Sequence, residues 1–245
     1  NESIVWSVAF SPDGKTIAGG MFGKVRLTCS STGRLLAELN HPEHMSFWSV
    51  AYMPHNDNEH TVSTLAAGCL DGIIYLWDTS TCKSNEQPIC ELKGHTDTVN
   101  SVCFTADGQK LVSGSYDRSI RIWDINLPTH QQLLQLTGHI DCVTSIATTG
   151  NRIASGSIDR TVRIWDNTTG TQLLQMNGHA DEVRTVTCSP VDEDEGLCSQ
   201  IVASGGSHKS VRLWYISTGQ QIAKLDGHAH IVCSLAFSPD GKTLV

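Results

Sequence analysis

The sequence predicts an all-β chain built from a series of four-stranded antiparallel sheets. Three observations carry that prediction. Gly-His recurs at Gly94-His95, Gly138-His139, Gly178-His179 and Gly227-His228, with the histidines 44, 40 and 49 residues apart. Between successive pairs the same short segments return in the same order. Those segments alternate with period two, and no stretch keeps a 3.6-residue apolar period over a dozen positions, so almost no helix is expected.

Each repeat justifies its strands in turn. The first segment reads "VNSVCF", "VTSIAT", "VRTVTC" or "VCSLAF", an apolar alternation that suits a strand with one buried face. A turn follows, as in "SPDG" at 11–14, "TADG" at 105–108 and "SPDG" at 238–241, where the last Gly supplies a left-handed backbone. The second segment is "LVSGSYD", "RIASGSID" or "IVASGGSH", and the third is "SIRIWD", "TVRIWD" or "SVRLWY". A fourth, "QQLLQL", "TQLLQM" or "QQIAKL", runs into the next Gly-His. First strands are expected near 5–10, 47–52, 98–104, 142–147, 183–188 and 231–237. The repeats divide one domain at about 1–40, 41–93, 94–137, 138–177, 178–226 and a partial 227–245. A lone four-stranded sheet of this size cannot cover both faces. Stacking successive sheets solves that, and closing them into a ring removes most open edges.

Trp77-Asp78, Trp123-Asp124 and Trp165-Asp166 occupy matching places in their repeats. With four Gly-His pairs in phase, the chain resembles the tryptophan–aspartate (WD) repeat family of β-propellers over essentially all of its 245 residues. The resemblance implies a propeller of five blades and part of a sixth. The family most often closes with seven, so a piece of a larger ring or longer array is expected, or self-association through open ends.

The resemblance also implies a hydrogen-bonded set in each blade. Its members are the His of Gly-His, a Ser or Thr on the second strand, an Asp in the next turn and the Trp of the third. Two repeats hold all four: His95, Ser113, Asp117, Trp123 and His139, Ser155, Asp159, Trp165. A third holds His179, Ser204 and Trp214, but His208 stands where Asp is expected and Tyr215 follows Trp. The second repeat has Asp71 and Trp77, with Ala67 for Ser and either His41 or His44 as its imidazole. The first has lost the set, with Ala18, Phe22 and Thr28 in the Ser, Asp and Trp places.

Ser, His and Asp are also the residue types of a hydrolytic triad. A triad needs one site, an accessible nucleophile and an oxyanion hole. Here the trio recurs beside a Trp, without a G-x-S-x-G turn, which predicts internal braces. Indole N–H only donates and carboxylate only accepts, whereas hydroxyl and imidazole do both, so the four can satisfy one another inside a sheet.

Other chemistry is sparse. Neither a Gly-rich phosphate loop nor a paired-carboxylate motif is present, so neither an enzyme nor a cofactor is expected. Nine cysteines, an odd number without a C-x-x-C pair, read as reduced, small core hydrophobes rather than metal ligands. The insertions at 53–64 and 189–200, with His55, His60 and the acidic run 192–195, read as solvated loops, and no metal is expected there. The formal charge of −8 argues against broad phosphate-backbone binding. Arg121, Arg163 and Arg212 recur two places before Trp, which marks them as frame. No apolar run reaches the length of a membrane span and no signal peptide is seen, so a cytoplasmic protein is expected, with the nucleus open.

By resemblance, the expected function is a non-enzymatic scaffold that binds proteins or peptides around the rims and central opening. Two series vary between repeats while their neighbours stay constant, and they form the expected contact face. One precedes the first strand: Thr98, Cys142, Glu182 and Ile231. The other follows "SGS" or its counterpart: Leu70, Tyr116 and Ile158. Two alternatives remain at this stage. One is the sensing array of a larger signalling NTPase; the other is a nucleic-acid-binding propeller.

Overall fold

The computed structural model describes residues 4–41, 43–54, 63–81, 83–84, 86–126, 130–190 and 200–245. Among them no helix occurs, and five sheets of four antiparallel strands form the molecule. The first sheet holds β1 (Val5–Phe10), β2 (Thr16–Met21), β3 (Lys24–Cys29) and β4 (Leu35–Asn40). The second holds β5 (Phe47–Tyr52), β6 (Thr64–Cys69), β7 (Ile74–Asp78) and β8 (Cys90–Leu92). The third holds β9 (Val99–Phe104), β10 (Lys110–Ser115), β11 (Ile120–Asp124) and β12 (Gln132–Leu136). The fourth holds β13 (Val143–Thr149), β14 (Arg152–Ser157), β15 (Val162–Asp166) and β16 (Gln172–Met176). The fifth holds β17 (Val183–Cys188), β18 (Ile201–Gly206), β19 (Val211–Tyr215) and β20 (Gln221–Leu225). In each sheet the spatial order follows the chain.

The chain separates into two compact units, residues 1–117 with 121–133 and residues 118–120 with 134–245. Within the first, β1 packs beside β5 and β5 beside β9; within the second, β13 packs beside β17. The recurring Ser of the first strand explains part of that contact. Ser7 Oγ accepts the Val50 N–H at 3.2 Å, Ser49 Oγ the Val102 N–H at 3.1 Å, and Ser145 Oγ the Val186 N–H at 3.0 Å. Each hydroxyl thereby satisfies a backbone donor on the next sheet that the antiparallel ladder leaves free.

The Gly after the second-strand hydroxyl, or after Ala67 in the second sheet, has an equally local reason. A Cβ on Gly68 would lie 2.7 Å from Val99 Cγ1, and one on Gly156 2.7 Å from Val183 Cγ1. Glycine here lets the next sheet approach. The first strand of every sheet also meets its partner at a register shift, so one extra residue is bulged there: Trp6, Trp48, Asn100, Thr144 and Arg184.

Within each unit, buried apolar residues fill the spaces between neighbouring sheets. In the first unit, Leu27, Leu39, Phe47, Leu65 and Trp77 form one such cluster, and Ile74, Val99, Leu111 and Trp123 belong to another. The sixth expected first strand, 231–237, forms no strand. Its ladder is short: Ala236 and Val245 exchange backbone bonds at 2.9 and 3.0 Å, and one bridge joins Phe237 to Leu244. Of the seven described cysteines, all free, Cys69 alone is buried, so the core reading of Cys103 and Cys233 does not hold. Cys103 occupies the half-covered face of β9, and Cys233 is exposed.

Candidate functional site

The third and fourth sheets join their quartets in one order. Trp123 Nε1 donates to Ser113 Oγ at 2.9 Å, the Ser113 hydroxyl meets His95 Nε2 at 2.8 Å, and His95 Nδ1 meets Asp117 Oδ2 at 2.8 Å. In the fourth sheet the same three contacts, Trp165 to Ser155, Ser155 to His139 and His139 to Asp159, are 2.8, 2.7 and 2.7 Å. Carboxylate can only accept, so the proton sits on Nδ1 and the hydroxyl donates to Nε2. Donation thus runs Trp → Ser → His → Asp. Burial, opposed by the partner carboxylate, lowers the imidazole pKa of His95 and His139, so both rings are neutral. Burial raises the Asp159 pKa, but hydrogen bonds from His139 and Thr161 outweigh it and keep the group ionised.

The arrangement contains a Ser–His–Asp row with triad connectivity, yet it lacks a reactive hydroxyl. Ser113, Ser155 and Ser204 are each 0% exposed, and each is capped by an indole N–H. No substrate atom reaches them in this conformation.

The fifth sheet keeps half of the row. Trp214 Nε1 donates to Ser204 Oγ at 2.8 Å, and Ser204 meets His179 Nε2 at 2.7 Å. His208 replaces the carboxylate, and the consequences spread. His179 Nδ1 and Ser210 Oγ are buried without a partner among the described residues; Arg212 Nε is too, but so is Arg121 Nε in the third sheet, where Asp117 is present. Their fourth-sheet counterparts are linked: Thr161 Oγ1 donates to Asp159 Oδ1 at 2.7 Å, and Arg163 Nε donates to Thr161 Oγ1 at 3.3 Å. Burial, with Arg212 and His208 nearby, pushes the His179 pKa down to about 4.

The second sheet is wired differently. His41, not His44, takes the imidazole place; His44 lies exposed in a turn at φ 55°. His41 Nδ1 accepts the backbone N–H groups of Glu43 and Met45 at 3.0 and 3.4 Å, so its proton sits on Nε2. That nitrogen faces Asp71 Oδ2 at 3.1 Å and the Tyr75 hydroxyl at 2.9 Å, and Tyr75 also donates to Asp71 at 2.8 Å. Tyr75 holds the third-strand place taken by Arg121, Arg163 and Arg212 elsewhere. Trp77 is left with Ala67 where Ser is expected, and its buried Nε1 has no partner among the described residues. Sequence reasoning missed Tyr75. Its signal was available: the hydroxyl lost at Ala67 reappears on the neighbouring strand, directly across the ladder. In the first sheet Phe22 is 65% exposed and no quartet forms.

Metal chemistry has one candidate among the described residues. Ligating atoms of His41, Cys69 and Asp71 lie within 4.8 Å of one another. Burial raises the Cys69 thiol pKa to about 12, and hydrogen bonds already occupy the imidazole and carboxylate, so the set does not fit a thiolate-ligated ion. His55, His60 and the acidic run fall outside the described residues.

The positions of the two expected contact series come together at one end of the second, third, fourth and fifth sheets. Tyr116 N–H donates to Thr98 O at 2.9 Å, Ile158 N–H to Cys142 O at 3.0 Å, and Ser207 N–H to Glu182 O at 3.0 Å. Leu70 makes the equivalent bond to Ser46 O at 3.0 Å. Leu70 and Ile231 are 43% and 50% exposed; Tyr116, Cys142, Ile158 and Glu182 are half-buried. Thr98 is buried, with its hydroxyl donating to Leu70 O at 3.3 Å, and so it offers no contact surface.

This four-strand unit, with its Gly-His loop and Trp-bearing third strand, matches the family described as WD domain, G-beta repeat, at residues 1–37, 33–78, 86–124, 130–166, 170–215 and 219–245. The chain belongs to the WD-repeat family. Among curated relatives of this WD-repeat chain, the CCR4-associated factor 4 homolog of Candida glabrata is 39% identical over 90 residues, 34% of this chain and 15% of the relative. Cell division cycle 20.1, cofactor of APC complex, of Arabidopsis thaliana is 31% identical over 149 residues, 58% of this chain and 30% of the relative. Apoptotic protease-activating factor 1 of Homo sapiens is 29% identical over 142 residues, 58% of this chain and 11% of the relative. The chain therefore spans well under half the length of these relatives. Among the described residues no helix is long and apolar enough to cross a membrane.

Proposed function

We propose that this WD-repeat chain is a non-enzymatic scaffold, one propeller domain that binds protein or peptide partners inside the cell without a cofactor. One observation carries the reading. Chemistry-bearing side chains are sealed into repeated internal braces, whereas the residues that differ between blades are paired by backbone bonds at one blade end. A constant frame thereby presents varied tips: Leu70, Tyr116, Cys142, Ile158, Glu182 and Ile231. Relatives named as a cofactor and an associated factor agree with an adaptor role. The alternative of nucleic-acid binding loses support, because Arg121 and Arg163 are 8% exposed and tied to Gln132 and Gln172 inside their blades.

The test is quantitative affinity purification of the chain within its full-length parent, wild type against Tyr116→Ala with Ile158→Ser. At least one partner is expected to fall by tenfold or more while the melting temperature is unchanged. Undiminished recovery of every partner would contradict the assigned face. Ser155 is expected to stay unlabelled by a fluorophosphonate; labelling would revive the hydrolase reading.

A further inference from the structure

Three blades share an internal plug that the second blade lacks. In blades three, four and five, the Arg two places before Trp bonds through Nη1 to a fourth-strand Gln: Arg121 to Gln132, Arg163 to Gln172 at 2.6 Å, and Arg212 to Gln221. The guanidinium lies over the Trp edge and beneath the Gly of Gly-His. A Cβ placed on Gly138 would come 2.7 Å from Arg163 Nη1, 3.0 Å from the Trp165 ring and 3.1 Å from Gln172 Oε1. Gly94 and Gly178 are crowded in the same way.

In the second blade every member of that plug is different. Asn40 precedes His41, Tyr75 replaces Arg, and Pro88 takes the Gln place, counted from the Leu76–Cys90 pair as Gln172 is from Ile164–Leu174. Asn40, Tyr75, Pro88 and Trp77 together line a cavity of about 190 Å³. Its floor is buried, with His41 and Phe47 beside the Tyr75 and Trp77 rings, whereas Asn40, Gln87 and Glu91 form an exposed rim. A cavity of about 150 Å³ already accepts a benzene-sized guest, so one side-chain head fits here.

We propose that this cavity binds a guanidinium group, the arginine side chain of a partner, in the place that the chain's own arginines fill in the next three blades. The chemistry on the walls fits that guest. Trp77 and Tyr75 offer ring surface to a flat cation. Gln87 brings an amide oxygen within one residue of the position from which Gln132, Gln172 and Gln221 act. Glu91, directly across from Tyr75, adds a carboxylate that can take the planar fork in bidentate fashion. Its present partner is Lys93 at 2.7 Å, a pair open to water on both sides and readily exchanged. A lysine ammonium lacks the flat, forked donor set and fits the slot poorly. The site centres on Tyr75, Trp77 and Glu91, includes none of the rim residues proposed above and does not depend on their contacts.

The probe is N-acetyl-arginine methylamide, followed through the Trp77 indole N–H resonance. A saturable shift is expected, with the lysine analogue at least tenfold weaker. Glu91→Gln, a change at an exposed position, is expected to weaken arginine binding at least tenfold, and Tyr116→Ala to leave it unchanged. Tyr75→Arg with Pro88→Gln rebuilds the internal plug and is expected to abolish the shift. An unmoved Trp77 resonance overturns the proposal. So does an equal response to the lysine compound, or undiminished binding by Glu91→Gln.

Discussion

The fourth and second blades hold the same imidazole, carboxylate and indole groups in two different circuits. In the fourth, the proton of His139 points along Nδ1 to Asp159, and Ser155 links imidazole to indole. In the second, His41 carries its proton on Nε2, Tyr75 supplies the hydroxyl, and the indole of Trp77 is left out. The second blade compensates with ring packing. Tyr75 stacks on Trp77 at 5.8 Å, and Phe47 meets both rings edge-on at 5.8 and 5.6 Å. The comparison teaches that the second and fourth blades both tie the loop before the first strand, the turn after the second strand and the third strand. They make that tie by different chemical means.

The largest effect expected from breaking the comparison is at Trp165. Trp165→Ala removes a 1% exposed ring and the donor at the head of the circuit, and is expected to cost about 3–5 kcal/mol, read as a lower melting temperature. The same change at Trp77 removes packing but no hydrogen bond, and is expected to cost about 1 kcal/mol less.

The fifth blade sharpens the contrast, because the loss of the carboxylate leaves His179 Nδ1 and Ser210 Oγ buried without a partner among the described residues. His208→Asp is expected to stabilise the protein by about 1.5–3 kcal/mol at pH 7, by denaturant melts, since a carboxylate returns to His179 and Ser210. The pH dependence follows from the lowered imidazole pKa. His179 is neutral in the folded chain down to about 4, while in the unfolded chain it protonates below about 6.5. Its contribution is therefore fully present above that value and is lost as pH falls toward 4. His208→Asp is expected to flatten this loss, and an unchanged slope would contradict the assignment. The smallest change is Ala67→Ser, which offers Trp77 its missing acceptor and is expected to gain about 1 kcal/mol.

The repeat carried most of the fold in the sequence, because Gly-His, the turn glycines and the Trp strand each answer a local constraint that recurs from blade to blade, most completely in the third and fourth. The Gly in "ASGS" is an example: only its neighbour sheet explains it, yet its regular spacing made the strand visible. The quartets of blades three and four were legible for the same reason. What stayed hidden arose where several positions changed together. Nothing local in Tyr75, Asn40 or Pro88 says that they share a cavity; the ladder brings them together. Thr98 varies between repeats like its fellows, but a bond to Leu70 O draws it inward, and variability alone could not separate the two cases. The orphaning of Ser210 by His208 was likewise invisible until the fourth blade supplied its counterpart.

The direction of each circuit is written in its imidazole tautomer, which long-range ¹H–¹⁵N spectra of the histidine rings report directly. At pH 7, His95 and His139 are predicted as neutral Nδ1–H rings and His41 as the Nε2–H form. Protonated rings at His95 and His139, or the Nε2–H form there, would contradict the bracing circuit.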